Sequence, residues 1–333
     1  MADPHNPGFE AAGELAKAVQ GAAMHPIRIR GGGEVRPGTA SWTDPTMTAK
    51  GVFYPDSAKS AEDRLRYYAE QFSVVEVDAT YYALPQTRQA ELWAERTPDG
   101  FVFDVKAHAL LTGQPSEVKR LPKDLREALP EALATKPRLY GKDLPPDLMD
   151  AVWARFLEGI EPLRTAGKLG AVFLQFPRWV FPSHEAREVI RRAQERLGDR
   201  QLTVEFRHGS WFNEKNAERT LRFLTDQKVP YVIVDEPQGF KSSVPPVAVV
   251  TSPELAVFRF HGQRADLWEK PGIPPNERFR YLYDEDQLAD WAGRVAEVAR
   301  SARETHVLMN NCSFNYGTTN AMQLGDLLRQ YSA

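Results

Sequence analysis

From residue 35 onward, short runs of β-branched and aromatic residues alternate with longer segments whose apolar positions recur every three or four residues. The runs suit buried strands and the longer segments amphipathic helices, so the alternation predicts parallel strands covered by helices. Eight strands are expected, near residues 36–42, 73–79, 101–107, 170–176, 202–207, 230–235, 256–261 and 305–310. Helical spacing fills most of the gaps, near 87–96, 147–166, 213–227, 285–303 and 319–330. Ser60 with Asp63 resembles a capping box ahead of Leu65, Tyr68, Ala69 and Phe72, and Ser183 opens a helix that Gly198 closes. Two connections break the rhythm. Residues 108–146 form an insertion between the third strand and its helix, and 236–255 is Pro-rich without a helical signal. Alternation resumes on both sides of each, so neither reads as a linker between independent domains.

Eight strands with intervening helices suit a single-domain α/β fold, a TIM-type (β/α)8 barrel over residues 35–333; an open doubly wound sheet more often has five or six strands and a Gly-rich first turn. The chain has no G-x-G-x-x-G or Walker motif, and Gly31–Gly33 precede the first strand. A dinucleotide-binding reading is therefore rejected, and no organic cofactor is expected. Residues 1–34, rich in glycine, read as a flexible leader with a short helix over 9–20.

Composition changes this picture little. With 42% hydrophobic and 11% aromatic residues the chain of 333 can bury a large core. A net charge of −3 argues against a surface built throughout to grip nucleic acid or anionic lipid, while leaving room for a local basic cleft. One cysteine, Cys312, excludes an intrachain disulfide and a cysteine-cluster metal site, and is expected to be a packing residue. No apolar run reaches membrane-spanning length, and Asp3, Glu10, Glu14 and Lys17 interrupt any signal-peptide core, so a cytoplasmic location is expected.

The strand ends carry the chemistry. Side chains alternate faces along a strand, so polar residues of one parity in an apolar strand point together. Glu76, Asp78 and Thr80 form one such set, as do Asp104 with Lys106, Thr203 with Glu205 and Arg207, and Arg259 with His261. Gln175, Asp235, Asn310 and Asn311 end their strands. Buried charges must pair with one another or serve a ligand, and barrel enzymes place catalytic groups at the carboxyl ends of several strands.

In order along the chain come Gly38-Thr39-Ala40-Ser41-Trp42, Gly51-Val52-Phe53-Tyr54-Pro55, the segment Glu76 to Tyr82, Phe103-Asp104-Val105-Lys106-Ala107 and Gln175-Phe176-Pro177. Glu205-Phe206-Arg207-His208-Gly209-Ser210-Trp211-Phe212, His261-Gly262 and Asn310-Asn311 follow. This ordered set resembles the domain-of-unknown-function 72 family, also called YecE-like, over about residues 36–330. The resemblance implies a TIM-type barrel and no particular reaction. The leader, the length of 108–146, and Asp78-Ala79 in place of the more usual Asn-Ser depart from the family pattern.

Three chemistries fit the residues. The first is acid–base catalysis on an anionic small molecule, phosphorylated or carboxylated. Lys106, Arg207 and Arg259 would bind it, Glu205 would lead as acid or base with Glu76 and His261 behind, and Gln175, Asp235, Asn310, Asn311, Trp42, Tyr81, His208 and Trp211 would line the pocket. The second is a divalent-metal hydrolase or isomerase using Glu76, Glu205, Asp235 and His261, opposed by the nearby cations and by the lack of compact ligand spacing; no metal site is assigned. The third is a non-catalytic ligand- or nucleic-acid-binding protein, with aromatic stacking and the net +2 of the insertion in its favour. The insertion is also expected to act as a lid. No heptad stripe specifies an oligomeric state.

Overall fold

The computed structural model describes residues 3–333. Its main strands are β1 (Glu34–Ala40), β2 (Val74–Val77), β3 (Val102–Lys106), β4 (Leu169–Gln175), β5 (Gln201–Glu205), β6 (Val232–Asp235), β7 (Leu255–Phe260) and β8 (Glu304–Met309). Each overlaps the run that predicted it. The principal helices are α1 (Phe9–Ala18), α2 (Ala61–Gln71), α3 (Thr87–Glu95), α4 (Pro146–Thr165), α5 (His184–Leu197), α6 (Ala217–Asp226), α7 (Glu285–Ala299) and α8 (Tyr316–Leu328). This is the TIM-type (β/α)8 fold that the alternation implied.

Contacts divide the chain into two compact units. One runs to Glu76 and resumes over His208–Ala333, and the other is Val77–Arg207. In the first, parallel pairing joins β2 to β1, β1 to β8, β8 to β7 and β7 to β6. In the second, β4 pairs in parallel with both β3 and β5. Every residue of β7 is buried, as parallel strands covered on both faces require, and this includes Arg259.

Local sequence explains the helix starts. Ser60 Oγ accepts the Asp63 N–H while the Asp63 carboxylate accepts the Ser60 N–H, the reciprocal capping box expected for α2. From α2 the buried Tyr68 hydroxyl accepts the Thr39 N–H at 3.0 Å and donates to the Val74 carbonyl at 3.2 Å, pinning β1 and β2 together. Ser183 caps α5, and Gly198 at φ 64° closes it. α6 starts later than its periodicity suggests, because Gly209–Phe212 form a 3-10 turn and the Asn213 side chain accepts the Asn216 N–H. α7 stops earlier, at Ala299, whose carbonyl takes the Gly33 N–H.

The insertion holds a short antiparallel ladder, Ser116–Glu117 with Arg138–Leu139, and two short helices, Lys123–Glu127 and Glu131–Ala134. The Pro-rich stretch between β6 and β7 contains no helix or strand. In the leader, α1 lies against α8: Gly8 N–H donates to the Tyr316 hydroxyl, Thr319 Oγ1 to the Ala12 carbonyl and Asn315 Nδ2 to the Phe9 carbonyl. Among the described residues no helix is long and apolar enough to cross a membrane.

Candidate functional site

Each unit gathers polar side chains at the carboxyl ends of its strands. In Val77–Arg207, β3, β4 and β5 end on Lys106, Gln175 and Glu205. The Glu205 side chain is fully buried, and its Oε1 accepts from Gln175 Nε2 at 2.7 Å and from Arg207 Nη1 at 3.0 Å. The Gln175 carbonyl accepts from Gln114 Nε2 at 3.1 Å, and Gln114 Oε1 accepts from the Tyr81 hydroxyl at 2.7 Å. Burial pushes the Tyr81 phenol up to about 12, so it stays a proton-bearing donor at neutral pH.

Lys106 Nζ lies 5.1 Å from the centre of the Tyr81 ring and 3.3 Å from Asp78 Oδ1. One hydrogen-bonded path thus runs from Tyr81 through Gln114, Gln175 and Glu205 to Arg207, with Lys106 seated on the tyrosine. The two cations keep part of their surface in solvent, 13% for Lys106 and 16% for Arg207.

Strand parity accounts for only part of this. β2 stops at Val77 and Asp78 takes a helical conformation, so Glu76, Asp78 and Thr80 do not continue one face. Thr80 instead donates its hydroxyl to the Lys106 carbonyl at 2.6 Å. Asp104 shares parity with Lys106, yet its Oδ1 accepts the Ala171 N–H at 2.9 Å where the pairing of β3 with β4 shifts register. It substitutes for a ladder bond at the irregularity.

The other unit contains a second chain of buried partners. Arg259 Nε lies 2.8 Å from Glu76 Oε2, and its Nη2 donates to Glu76 Oε1 at 2.9 Å and to Asn310 Oδ1 at 3.2 Å. Asn310 Nδ2 then lies 2.8 Å from His261 Nδ1. On the other side of the ring, His261 Nε2 lies 4.0 Å from Glu236 Oε2. Glu236 Oε1 is held by the Val244 N–H at 2.7 Å. The next residue, Gly262, adopts φ 81°, and a β-carbon there would meet Tyr281 Cβ at 2.7 Å, so only glycine lets the chain turn away beside His261.

Asp235 sits apart from this chain, accepting from the Tyr283 hydroxyl at 2.5 Å and from Gln263 Nε2 at 2.8 Å. Burial raises its pKa above the usual carboxylate range, against the lowering effect of those two bonds. Of the paired asparagines, Asn310 joins the network, whereas Asn311 is fully buried and ties the Tyr281 carbonyl to Asn320. Trp211 is fully buried and its carbonyl takes the Thr220 hydroxyl; Trp42 is nearly so and its carbonyl takes the Tyr54 hydroxyl. His208 Nδ1 accepts the Ser210 N–H, capping the 3-10 turn, and desolvation, with the Lys241 charge behind it, lowers its pKa.

Three participants lie outside the sequence reading. Glu236 follows Asp235 with the opposite parity and enters because the strand ends between them. Gln114 lies in the aperiodic insertion. Tyr283 lies just before the Asp284 cap of α7, where nothing in the chain signals a polar partner. Among the described residues no group of three or more His, Cys, Asp and Glu side chains is placed to hold a metal ion. Glu76 and Glu205, two of the carboxylates offered as ligands, each meet an arginine.

Comparison with known proteins agrees with the family resemblance. The family profile described as protein of unknown function DUF72 matches residues 36–333. The UPF0759 protein YunF of Bacillus subtilis is 31% identical over 278 residues, covering 83% of this chain and 89% of that protein. A solved DUF72 family protein from Enterococcus faecalis is 25% identical with a TM-score of 0.70, covering 88% of this chain and 95% of its own. Another from Thermotoga maritima is 29% identical with a TM-score of 0.68, covering 88% and 98%. With the profile spanning nearly the whole chain beyond the leader, and with the strand-end motifs in place, this protein belongs to the DUF72 family.

Proposed function

We propose that the chain is an enzyme performing acid–base chemistry on a small anionic molecule, one bearing a carboxylate or phosphate, at the carboxyl ends of β3, β4 and β5. The observation that carries this reading is the pair of partly exposed cations, Lys106 and Arg207, bracketing a path that includes the fully buried carboxylate of Glu205. Arginine suits a planar or tetrahedral anion by two-pronged hydrogen bonding, and lysine adds a mobile point charge. An incoming anion competes with Glu205 for Arg207. Once Arg207 turns to the ligand, a lone pair on Glu205 Oε1 becomes available to take a proton, while Gln175 keeps the carboxylate oriented. Tyr81, protonated through the neutral range, supplies a hydroxyl at the far end of the path.

The test is isothermal titration of the full chain against phosphorylated and carboxylated metabolites, followed by product analysis for any that bind. Arg207→Gln and Lys106→Gln are expected to weaken binding by about tenfold each, as loss of a charge-assisted contact does. Glu205→Gln is expected to retain binding and lose turnover. Unchanged affinity in both cation variants, or full turnover in Glu205→Gln, overturns the reading.

A further inference from the structure

α1, α2 and α8 and the Gly51–Phe53 loop border a cavity of about 420 Å³, half open to solvent past the exposed Glu10, Glu14 and Lys17, within the unit that runs to Glu76 and resumes at His208. Its size falls within the ordinary range of small-molecule sites, roughly 300 to 1,000 Å³. Phe9, Phe53, Tyr67 and Met322 supply apolar walls. Two buried amides also line it. Gln71, from the last turn of α2, is 7% exposed, and its side chain makes no hydrogen bond among the described residues. Asn315, 3% exposed, spends Nδ2 on the Phe9 carbonyl and leaves Oδ1 without a partner.

The two differ: Gln71 keeps its unpaired amide open to the cavity, whereas Asn315 Oδ1 is sealed from water, a loss worth about 1 to 3 kcal/mol. Gln71 offers both a donor and an acceptor, and Asn315 Oδ1 needs a donor. Aromatic walls around such a pair favour a flat ring bearing an uncharged group that both gives and takes hydrogen bonds. A charged head is disfavoured, since no ionised side chain that lines the cavity is buried to meet it.

We propose that this cavity is a binding site for an uncharged aromatic molecule of one or two rings carrying an amide-like group, held between the leader helix and the barrel helices. It lies outside the polar cluster of Val77–Arg207 and does not depend on the activity proposed there. The leader acquires a role: α1 contributes Phe9 and fixes Asn315, so a ligand here links α1 to α2 and α8.

The experiment is isothermal titration of the full chain with benzamide and indole-3-acetamide as probes, alongside toluene and benzoate, which share the ring without a neutral amide. Amide binding at least about tenfold tighter than toluene or benzoate is expected, because the amide can both give and take a hydrogen bond with Gln71, which the ring alone cannot. Gln71→Leu should weaken the amides by about tenfold and narrow the gap to toluene. Gly13→Leu places a side chain where the β-carbon already lies 3.4 Å from Asn315 Nδ2; it should abolish binding, with an unchanged far-ultraviolet circular dichroism spectrum showing that the fold is kept. Absence of amide binding, equal binding of toluene and benzamide, or full affinity in both variants overturns the proposal. Arg207→Gln should leave the amide titration unchanged, so failure here and failure of the anion site are read separately.

Discussion

His108 gives the fold a built-in sensitivity to acid. It follows β3, has no exposed surface, and opens the turn Ala109–Leu111 with Nδ1 accepting the Leu110 N–H at 3.4 Å and Nε2 lying 3.5 Å from Ser116 Oγ. Burial holds its pKa down to about 4, against an ordinary 6.5. Protonation would put a hydrogen on the nitrogen that now accepts and a charge in an apolar site. A folded pKa below the unfolded one means that this stability is full above pH 6.5 and is lost as pH falls through 4. The whole difference of about 2.5 pKa units corresponds to about 3 kcal/mol, of which about 2.5 kcal/mol disappears between pH 7.5 and pH 4.5. The loop it anchors continues to Gln114, so the link from Tyr81 to Gln175 should loosen over the same range.

The assay is urea unfolding at pH 7.5 and 4.5 of the natural chain and of His108→Asn, which can keep the acceptor toward Leu110 but does not titrate. The variant should lose about 2 to 3 kcal/mol less than the natural chain between the two pH values. An equal loss in both proteins would refute the assignment of this acid sensitivity to His108.

Burial favours the neutral form of Glu304, yet His306 and Arg36 outweigh it and bring its pKa to about 2. Its stabilisation is therefore present above the unfolded value near 4.5 and lost as pH falls toward 2, and Glu304→Gln should flatten urea midpoints measured between pH 5 and 2.5. Arg259→Met leaves Glu76 buried without its cation and should cost about 3 to 5 kcal/mol, whereas Glu76→Leu combined with Arg259→Met should recover much of that in chemical denaturation. Gly262→Ala forces a side chain into the left-handed region against Tyr281; a loss of about 2 kcal/mol in thermal unfolding is expected. At Ser41, held at φ 100° where β1 ends, glycine should relieve strain and raise stability by about 1 kcal/mol in the same measurement.

Much of the architecture was legible in the chain itself because hydrophobic period is a local property. The runs that became β1 to β8 overlap their expected positions, and the caps at Ser60 and Ser183 formed as their spacing implied. Strand parity also selected Lys106, Glu205, Arg207, Glu76, Arg259 and His261, and each has a polar partner close at hand. What each does there was not legible, since partnership depends on which strand end meets which loop. Asp104 turned to the backbone of a neighbouring strand at a register shift, Asn311 to the carbonyl of Tyr281, and His261 to Asn310 on one side with Glu236 nearby on the other. Gln114 entered from a segment without periodicity, and two amides separated by most of the chain, Gln71 and Asn315, came to line one cavity. Period and capping follow from neighbours along the chain, so sequence determines them; the pairing of buried polar groups is a long-range choice among many near-equal partners, which only the folded geometry decides.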